Sequence, residues 1–122
     1  MQNNTQLITV YIPTYNRVEL LKRAVNSVLS QSYQNFELII VDDCSPDETI
    51  KYLEKLSSSD KRILFFQNVK NSGACVSRNK AISEAKGKYI TGLDDDDEFT
   101  SDRLEFFLKN FEGNYSFVCS SL

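Results

Sequence analysis

A short apolar segment that runs directly into four consecutive aspartates constrains this chain more than any other feature. Residues 89–93 are rich in aromatic and β-branched side chains, and Asp94 to Asp97 follow without a spacer. Such a composition predicts a buried strand. Open α/β sheets bind ligands at the carboxyl ends of their strands. We therefore expect the aspartates to lie at the edge of a sheet where a ligand binds.

Four neighbouring carboxylates need a positive partner. Two unit charges about 5 Å apart repel each other by roughly 3 kcal/mol at an effective dielectric constant of about 20. Mg²⁺ or Mn²⁺ would relieve this repulsion, and such ions commonly bind together with the phosphates of a substrate. The alternative is a solvated acidic loop, or acids that favour the start of the next helix. The apolar strand before Asp94 favours a binding site.

The composition is that of one soluble globular domain. The chain has 122 residues, of which 41% are hydrophobic and 25% charged, and its net charge is −3. Its 14 lysines and arginines are scattered, so no basic stripe indicates a nucleic-acid partner. Residues 1–6 lack the basic start and apolar run of a signal peptide, and no stretch of the sequence approaches membrane-spanning length. We therefore expect a cytoplasmic location.

Several kinds of catalytic or metal site are excluded by residue type. The chain has no histidine, which excludes Ser-His and Cys-His nucleophiles and histidine-ligated metals within it. Cys44, Cys75 and Cys119 form no CxxC pair, so we expect reduced thiols in or near the core. No GxGxxG follows the first strand and no P-loop occurs. Diphosphate binding would therefore depend on a metal held by carboxylates and on nearby cations.

Strand and helix patterns alternate along the chain. The predicted strands cover residues 7–12, 36–41, 63–67, 89–93 and 115–119. The predicted helices run over 19–31, from a cap at 45 to about 57, from about 74 to 87, and from a cap at 100 or 101 to about 111. This alternation predicts an α/β fold with a mostly parallel, Rossmann-like sheet and right-handed crossovers.

Three local signals mark the ends of these elements. Pro13 lacks an N–H and is expected to end the first strand. Ser45, Pro46 and Glu48 fit a capping box at the start of the second helix. Gly87 fits a left-handed residue at the end of the third helix.

Polar clusters follow three of the predicted strands. They comprise residues 14–17 after the first strand, Asp42 and Asp43 after the second, and the aspartates after the fourth. With the strand order 3-2-1-4, these clusters meet at the switch point between strands one and four. Arg17, Arg78 and Lys80 are the nearest candidate cations, although each such residue is more often a solvated charge.

These residues together resemble a known family, the family 2 glycosyltransferases. The resemblance depends on five segments in the family's order and spacing: residues 12–17 (IPTYNR), 27–33 (SVLSQSY), 36–43 (FELIIVDD), 77–79 (SRN) and 87–97 (GKYITGLDDDD). It covers the chain from Leu7 to about Phe111. The resemblance implies the GT-A fold and transfer of a sugar from a nucleotide diphosphate with inversion.

The resemblance also implies roles for individual residues. Pro13, Thr14 and Tyr15 would form the wall of a nucleobase pocket, and Asp43 would accept a hydrogen bond from the base. Arg78 matches an arginine that lies near the nucleotide in relatives. Arg17, a candidate cation from its position after the first strand, is expected to bind the nucleotide sugar as well.

A DxD-like motif of the family maps onto Asp94 to Asp97. Asp94 and Asp95 would then bind the nucleotide sugar, with Asp95 facing the ribose, and Asp96 would hold Mn²⁺ or Mg²⁺ between the two phosphates. Because the four residues are identical, the register of the motif stays open.

The implied reaction places its catalytic base outside this chain. A divalent cation would stabilise the charge on the departing diphosphate, and a carboxylate base would activate the acceptor hydroxyl. In the family this base lies in the second half of the catalytic domain. We expect a donor-binding fragment, inactive alone, that takes a nucleotide-diphosphate sugar, with a UDP-sugar as the expected donor. Its full-length parent is expected to act on a saccharide or glycolipid acceptor.

Two further expectations complete the interpretation. An unpaired last strand would favour a homodimer. The main alternative function is a non-catalytic nucleotide-binding or regulatory module of the same fold. A phosphoacceptor receiver domain and a haloacid-type phosphatase fit poorly, because their acids follow other strands.

Overall fold

A four-stranded parallel sheet forms the centre of the computed structural model, which describes residues 6–111. The strands are β1 (Ile8–Thr14), β2 (Phe36–Asp42), β3 (Ile63–Gln67) and β4 (Tyr89–Gly92). They lie in the order β3-β2-β1-β4, and every adjacent pair is parallel. The predicted fold class and strand order are confirmed. The fifth strand predicted at 115–119 lies outside the described residues.

Helices cover both faces of the sheet unequally. They are α1 (Val18–Leu29), α2 (Thr49–Ser59), α3 (Ala74–Glu84) and α4 (Arg103–Phe111). Helices α1, α2 and α4 pack on one face, and α3 packs on the other. The connection from β3 returns past β1 to reach β4, and a right-handed crossover in that direction places α3 on the opposite face. Within residues 6–111, no helix has the length and apolarity needed to cross a bilayer.

The two central strands are buried on both faces. All seven residues of β2 are buried, as expected for a central parallel strand with a nearly continuous apolar sequence. On β1, Ile8, Val10 and Ile12 face the larger core, and Tyr11 faces the smaller one beneath α3. Full burial of one aliphatic side chain contributes about 2 kcal/mol. These strands therefore fix the positions of the loops that follow them.

A buried polar link holds the amino end of the sheet together. Glu37 on β2 is 8% exposed. It accepts hydrogen bonds from Thr9 Oγ1 at 2.5 Å and from Lys86 N at 2.6 Å. Gly87 N in turn donates to Thr9 Oγ1 at 2.9 Å. The chain entering β4 is thus attached to both central strands at the end opposite the aspartates.

The expectation that Pro13 ends the first strand is wrong. β1 continues through Pro13, which lies opposite Val41. Leu93 N donates to Tyr11 O, so alternate residues of β1 from Tyr11 onward face β4. Pro13 has the same parity, and β4 ends at Gly92, so the missing N–H of Pro13 costs no hydrogen bond of the ladder.

The capping box at Ser45 is also wrong. α2 begins at Thr49, and its N-cap Glu48 makes no side-chain capping bond. The Ser45 hydroxyl donates to Asp42 instead, and it accepts a hydrogen bond from Asn16 N at 2.7 Å. Because its oxygen is engaged by these partners, Ser45 joins the loops after β1 and β2 rather than starting a helix.

Gly87 does not take the left-handed conformation that was expected. Helix α3 ends at Glu84, and Ala85 is extended, with φ −71° and ψ 139°. Gly87 is required for a different reason. A Cβ there would lie 2.6 Å from Thr9 N and 2.9 Å from Leu7 O, both of which are backbone atoms.

The cysteines follow their prediction only in part. Cys44 is half-buried and Cys75 is exposed, and both are free thiols. The expectation of a core or near-core thiol is therefore wrong for Cys75, which lies in the first turn of α3. Cys119 lies outside the described residues.

Substitution Gly87→Ala should destabilise the fold by about 2 kcal/mol, because the added methyl group meets backbone atoms of β1 that have little freedom to move. Urea unfolding monitored by circular dichroism measures this change. The matched control is Lys86→Ala, which introduces the same residue at the exposed neighbouring position and should change stability by less than about 0.5 kcal/mol. Equal stability of the two variants would contradict the close approach at Gly87.

Candidate functional site

A cleft of about 380 Å³ opens at the carboxyl ends of β1, β2 and β4. This volume lies in the range of ligand-binding pockets, about 300–1,000 Å³. The lining contains eight of the nine predicted site residues, and the exception is Arg78. The lining residues are Pro13, Thr14, Tyr15, Arg17, Asp43, Ala74, Ser77, Asp94, Asp95 and Asp96.

Asp95 is the buried member of the aspartate run. The run forms a tight turn in which Asp97 N donates to Asp94 O at 3.1 Å. Asp95 is 7% exposed, and it accepts hydrogen bonds from Thr14 Oγ1 at 2.9 Å and Arg17 Nη1 at 3.2 Å. Burial raises the pKa of Asp95, although the Thr14 hydrogen bond and the charge of Arg17 oppose the rise. Asp95 therefore joins the turn after β4 to the end of β1.

The other three aspartates form an exposed cluster. One carboxylate oxygen from each of Asp94, Asp96 and Asp97 lies within 4.8 Å of the others. Carboxylate oxygens are the ligands that Mg²⁺ and Mn²⁺ prefer. The donor set therefore fits a divalent cation, and it includes Asp96, the predicted metal ligand. Asp95 does not belong to this cluster.

Arg17 extends from a loop that is fixed by its neighbours. Asn16 has a left-handed backbone, with φ 55°, a conformation that asparagine adopts more readily than most residues. Val18 N lies 3.4 Å from Asp47 Oδ2. Arg17 Nη1 contacts Asp95 Oδ1 at 3.2 Å and Asp96 Oδ2 at 3.3 Å. The loop after β1 thus places a cation against the aspartate run.

The two aspartates after β2 have different environments. Asp42 is fully buried and accepts hydrogen bonds from Ser45 N at 3.0 Å and Gln67 Nε2 at 3.2 Å. These contacts shape the turn after β2 and attach it to β3. Asp43 lines the cleft. Of the pair, Asp43 is therefore the residue available to a ligand.

Asp43 anchors the loop between β3 and α3. Its Oδ1 accepts from Asn68 Nδ2 and Ser72 N, and its Oδ2 accepts from Gly73 N, each at 2.8 Å. Burial acts to raise the pKa of Asp43, but the three hydrogen bonds outweigh it and hold the pKa below its usual value. Gly73 has φ 97°, a left-handed conformation that favours glycine. The first turn of α3 is positioned through these contacts.

Two residues that the sequence analysis did not assign to the site, Ala74 and Ser77, lie on the cleft side of α3. Ser77 is 1% exposed, and its Oγ accepts a hydrogen bond from Asn68 Nδ2 at 3.0 Å. The Asn-Ser-Gly sequence at 71–73 signals a turn before α3, but it does not reveal that Asp43 is its partner.

Arg78 is half-buried on α3 outside the cleft lining. Its Nη1 lies 3.9 Å from Cys75 Sγ. Its role near the nucleotide stays a prediction.

Substitution Asp43→Asn should destabilise the chain by about 2 kcal/mol at pH 7, because hydrogen bonds to a charged acceptor are replaced and the amide presents N–H groups to backbone donors. The pKa of Asp43 is lowered in the folded state. The stability that its carboxylate contributes is thus fully present above about pH 4 and is lost as the pH falls through the lowered pKa. Urea unfolding between about pH 2 and pH 6 should show that the free energy of unfolding falls less steeply with decreasing pH in Asp43→Asn than in the unmodified chain.

The control for this variant is Glu54→Gln on α2, which removes the same charge from an exposed residue. It should change stability by less than about 0.5 kcal/mol and keep the acid dependence of the unmodified chain. An Asp43→Asn chain with unchanged stability and unchanged acid dependence would show that the loop does not depend on this carboxylate.

Comparison with known proteins identifies relatives over most of the chain. WcaA of Escherichia coli (strain K12), named as a colanic acid biosynthesis glycosyl transferase, is 53% identical over 110 residues, which cover 88% of this chain and 38% of WcaA. TuaG of Bacillus subtilis (strain 168), named as a teichuronic acid biosynthesis glycosyltransferase, is 44% identical and covers 86% of this chain and 42% of TuaG. The chain spans less than half the length of these curated relatives.

Solved structures show the same fold. Residues 1–349 of TarS from S. aureus, in complex with UDP-GlcNAc, match with a TM-score of 0.76 and 30% identity over 84% of this chain and 31% of that chain. The profile of Glycosyl transferase family 2 matches residues 9–122. Since the family match covers nearly the whole sequence, and the sheet order and cleft are those expected of a GT-A fold, this chain belongs to glycosyl transferase family 2.

Proposed function

We propose that this chain binds a nucleoside-diphosphate sugar together with Mn²⁺ or Mg²⁺, and that it is the donor-binding part of an inverting glycosyltransferase. The observation that carries the proposal is the convergence of Tyr15, Asp43 and the aspartate run on one cleft. These groups come from loops after three different strands. A non-catalytic nucleotide-binding module has no separate observation in its favour.

The base of the nucleotide would bind at the Asp43 end of the cleft. Pro13 and Tyr15 line this cleft, and Tyr15 is 42% exposed, so its ring is accessible for contact with a base. Asp43 Oδ2 accepts one hydrogen bond from Gly73 N, whereas Oδ1 accepts two. A carboxylate oxygen has two lone pairs. Oδ2 therefore retains acceptor capacity for an N–H group of the base.

Two observations favour uridine as the nucleoside of the donor. In uridine the uracil ring keeps one N–H, at N3, and this group can donate to the remaining lone pair of Asp43 Oδ2. The TarS structure, with 30% identity to this chain, is a complex with UDP-GlcNAc. We therefore propose a UDP-sugar as the donor.

The diphosphate would lie near the aspartate run. Asp96, with Asp94 and Asp97, would hold the divalent cation, and Asp95 would keep the turn attached to β1. When bound, the cation would supply a Lewis acid that stabilises the charge of the leaving diphosphate. Arg17, which is half-exposed at the cleft, would add a second positive charge near the phosphates.

The last part of the proposal concerns the acceptor and the catalytic base. WcaA and TuaG are named for the biosynthesis of colanic and teichuronic acid, so a saccharide or glycolipid acceptor in polysaccharide biosynthesis is proposed here too. Inversion needs a base that takes the proton of the acceptor hydroxyl. We assign that base to the part of such transferases outside this chain, and we propose that the 122 residues alone transfer sugar poorly. The homodimer stays a prediction.

Mn²⁺ and UDP together should raise the melting temperature of this chain more than either alone. Ligands at about 100 times their Kd stabilise a protein by about 2.7 kcal/mol, which corresponds to a rise in melting temperature of roughly 10 °C for a domain of this size. Substitution Asp96→Asn should remove most of the increment that depends on Mn²⁺, because one carboxylate of the cluster is lost. Differential scanning fluorimetry with UDP, GDP and each metal measures these shifts.

The control is Asp102→Asn, which makes the same change at an exposed aspartate outside the cleft. It should leave the Mn²⁺ increment unchanged. An increment that persists in Asp96→Asn would contradict Asp96 as a metal ligand, and the absence of any nucleotide-dependent shift in the unmodified chain would contradict donor binding. Sugar transfer by the 122-residue chain alone, measured with a labelled donor, would contradict its role as a donor-binding part only.

A further inference from the structure

One guanidinium nitrogen of Arg17 contacts both a buried and an exposed aspartate. Its Nη1 lies 3.2 Å from Asp95 Oδ1 and 3.3 Å from Asp96 Oδ2. Asp95 is the buried residue that holds the turn to Thr14, whereas Asp96 belongs to the exposed acidic cluster. One guanidinium group therefore contacts both the framework of the turn and its proposed metal ligand.

The two contacts of Arg17 differ in their surroundings. The Asp95 side chain is 10% exposed and the Asp96 side chain is 51% exposed. Water screens the second contact much more than the first, and exposed ion pairs change an equilibrium by only about two- to fivefold. The contact with Asp96 is therefore the weaker one, and it is the contact that can break while Arg17 stays on Asp95.

A divalent cation at the acidic cluster would compete with Arg17 for Asp96. Both are positive, and they would share the same carboxylate at close range, where like charges repel. Within residues 6–111, both side-chain hydrogen bonds of Arg17 leave from Nη1, so its other guanidinium nitrogens keep N–H donors for a ligand in the cleft. Guanidinium groups bind phosphate oxygens well.

We propose that Arg17 is an exchangeable internal cation, which occupies Asp96 in the ligand-free chain and moves from Asp96 to the diphosphate when metal and nucleotide bind. Arg17 stays on Asp95 throughout, so one guanidinium group would contact both the turn and the diphosphate. This inference rests on the proposed function, because it concerns the same cleft and the same cation.

The exchange couples the two ligands. A diphosphate that binds Arg17 draws it away from Asp96 and so raises the affinity of the cluster for a cation. By linkage, a cation raises the affinity for the diphosphate by the same factor. Part of this coupling comes from direct contact between metal and phosphate, and the part that depends on Arg17 disappears when Arg17 is replaced.

The test is Mn²⁺ binding by the 122-residue chain, measured from the electron paramagnetic resonance signal of free Mn²⁺ with and without UDP. The Arg17→Gln variant should bind Mn²⁺ about two- to fivefold more tightly than the unmodified chain without UDP, since Asp96 is no longer occupied. The factor by which UDP increases Mn²⁺ affinity should be smaller in Arg17→Gln.

Arg23→Gln is the matched control. Arg23 lies on α1, and its side chain is 64% exposed and pairs with Glu98, the residue after the aspartate run, at 2.6 Å. The control removes the same charge close to the cluster without freeing any aspartate, so its Mn²⁺ affinity should stay near that of the unmodified chain. If Mn²⁺ affinity increased equally in Arg17→Gln and Arg23→Gln, the change in net charge would explain the effect and the proposed exchange would be overturned.

A second measurement needs no variant. In a Mg²⁺ titration followed by nuclear magnetic resonance, the guanidinium signals of Arg17 should shift and those of Arg23 should not. Arg17 signals that stay unchanged while Mg²⁺ binds, or unaltered Mn²⁺ affinity in Arg17→Gln, would overturn the exchange and leave the proposed function standing. A chain that binds neither metal ion, with or without UDP, would overturn both.

Discussion

The hydrogen bond from Thr14 to Asp95 is the contact on which the cleft depends. It connects the end of β1 to the turn after the neighbouring strand β4, and Arg17 from the loop after β1 contacts the same carboxylate. A buried carboxylate without partners is strongly unfavourable, and Thr14 and Arg17 supply those partners. Because the turn is held at Asp95, the carboxylates on either side of it remain at the surface as a group.

A second anchored carboxylate, Asp43, shapes the opposite wall. Its hydrogen bonds reach forward to the loop before α3, so the second strand determines where the third helix begins. Both walls of the cleft are stabilised in the same way. In each, a buried aspartate, Asp95 or Asp43, accepts hydrogen bonds from a part of the chain that is distant in sequence. They differ in the direction of the pKa shift, because three hydrogen bonds outweigh burial at Asp43 and burial prevails at Asp95. Both groups combine support of the backbone with a position in the cleft.

The sequence predicts the fold and the position of the site because both depend on local patterns. Apolar runs identify the strands, and the strand order brings their polar ends together. Two of the errors, at Ser45 and Gly87, concern residues that also contact parts of the chain distant in sequence. Ser45 has the pattern of a helix cap, but its hydroxyl is taken by Asp42 and Asn16. Gly87 has the position of a helix terminator, but the neighbouring β1 backbone is what requires it. Propensity describes each residue alone and says nothing of such contacts.

The order of the four aspartates matters more than their number. Leu93, the first residue after β4, donates from its N to Tyr11 O and so fixes where the turn begins, and Asp95 lies two positions further along. Loss or gain of one residue at this point would leave the sequence almost equally acidic. It would nevertheless bring a different side chain beneath Thr14 and alter which carboxylates remain outside. The length of this segment is therefore constrained as well as its composition, whereas an acidic surface loop would be constrained in neither.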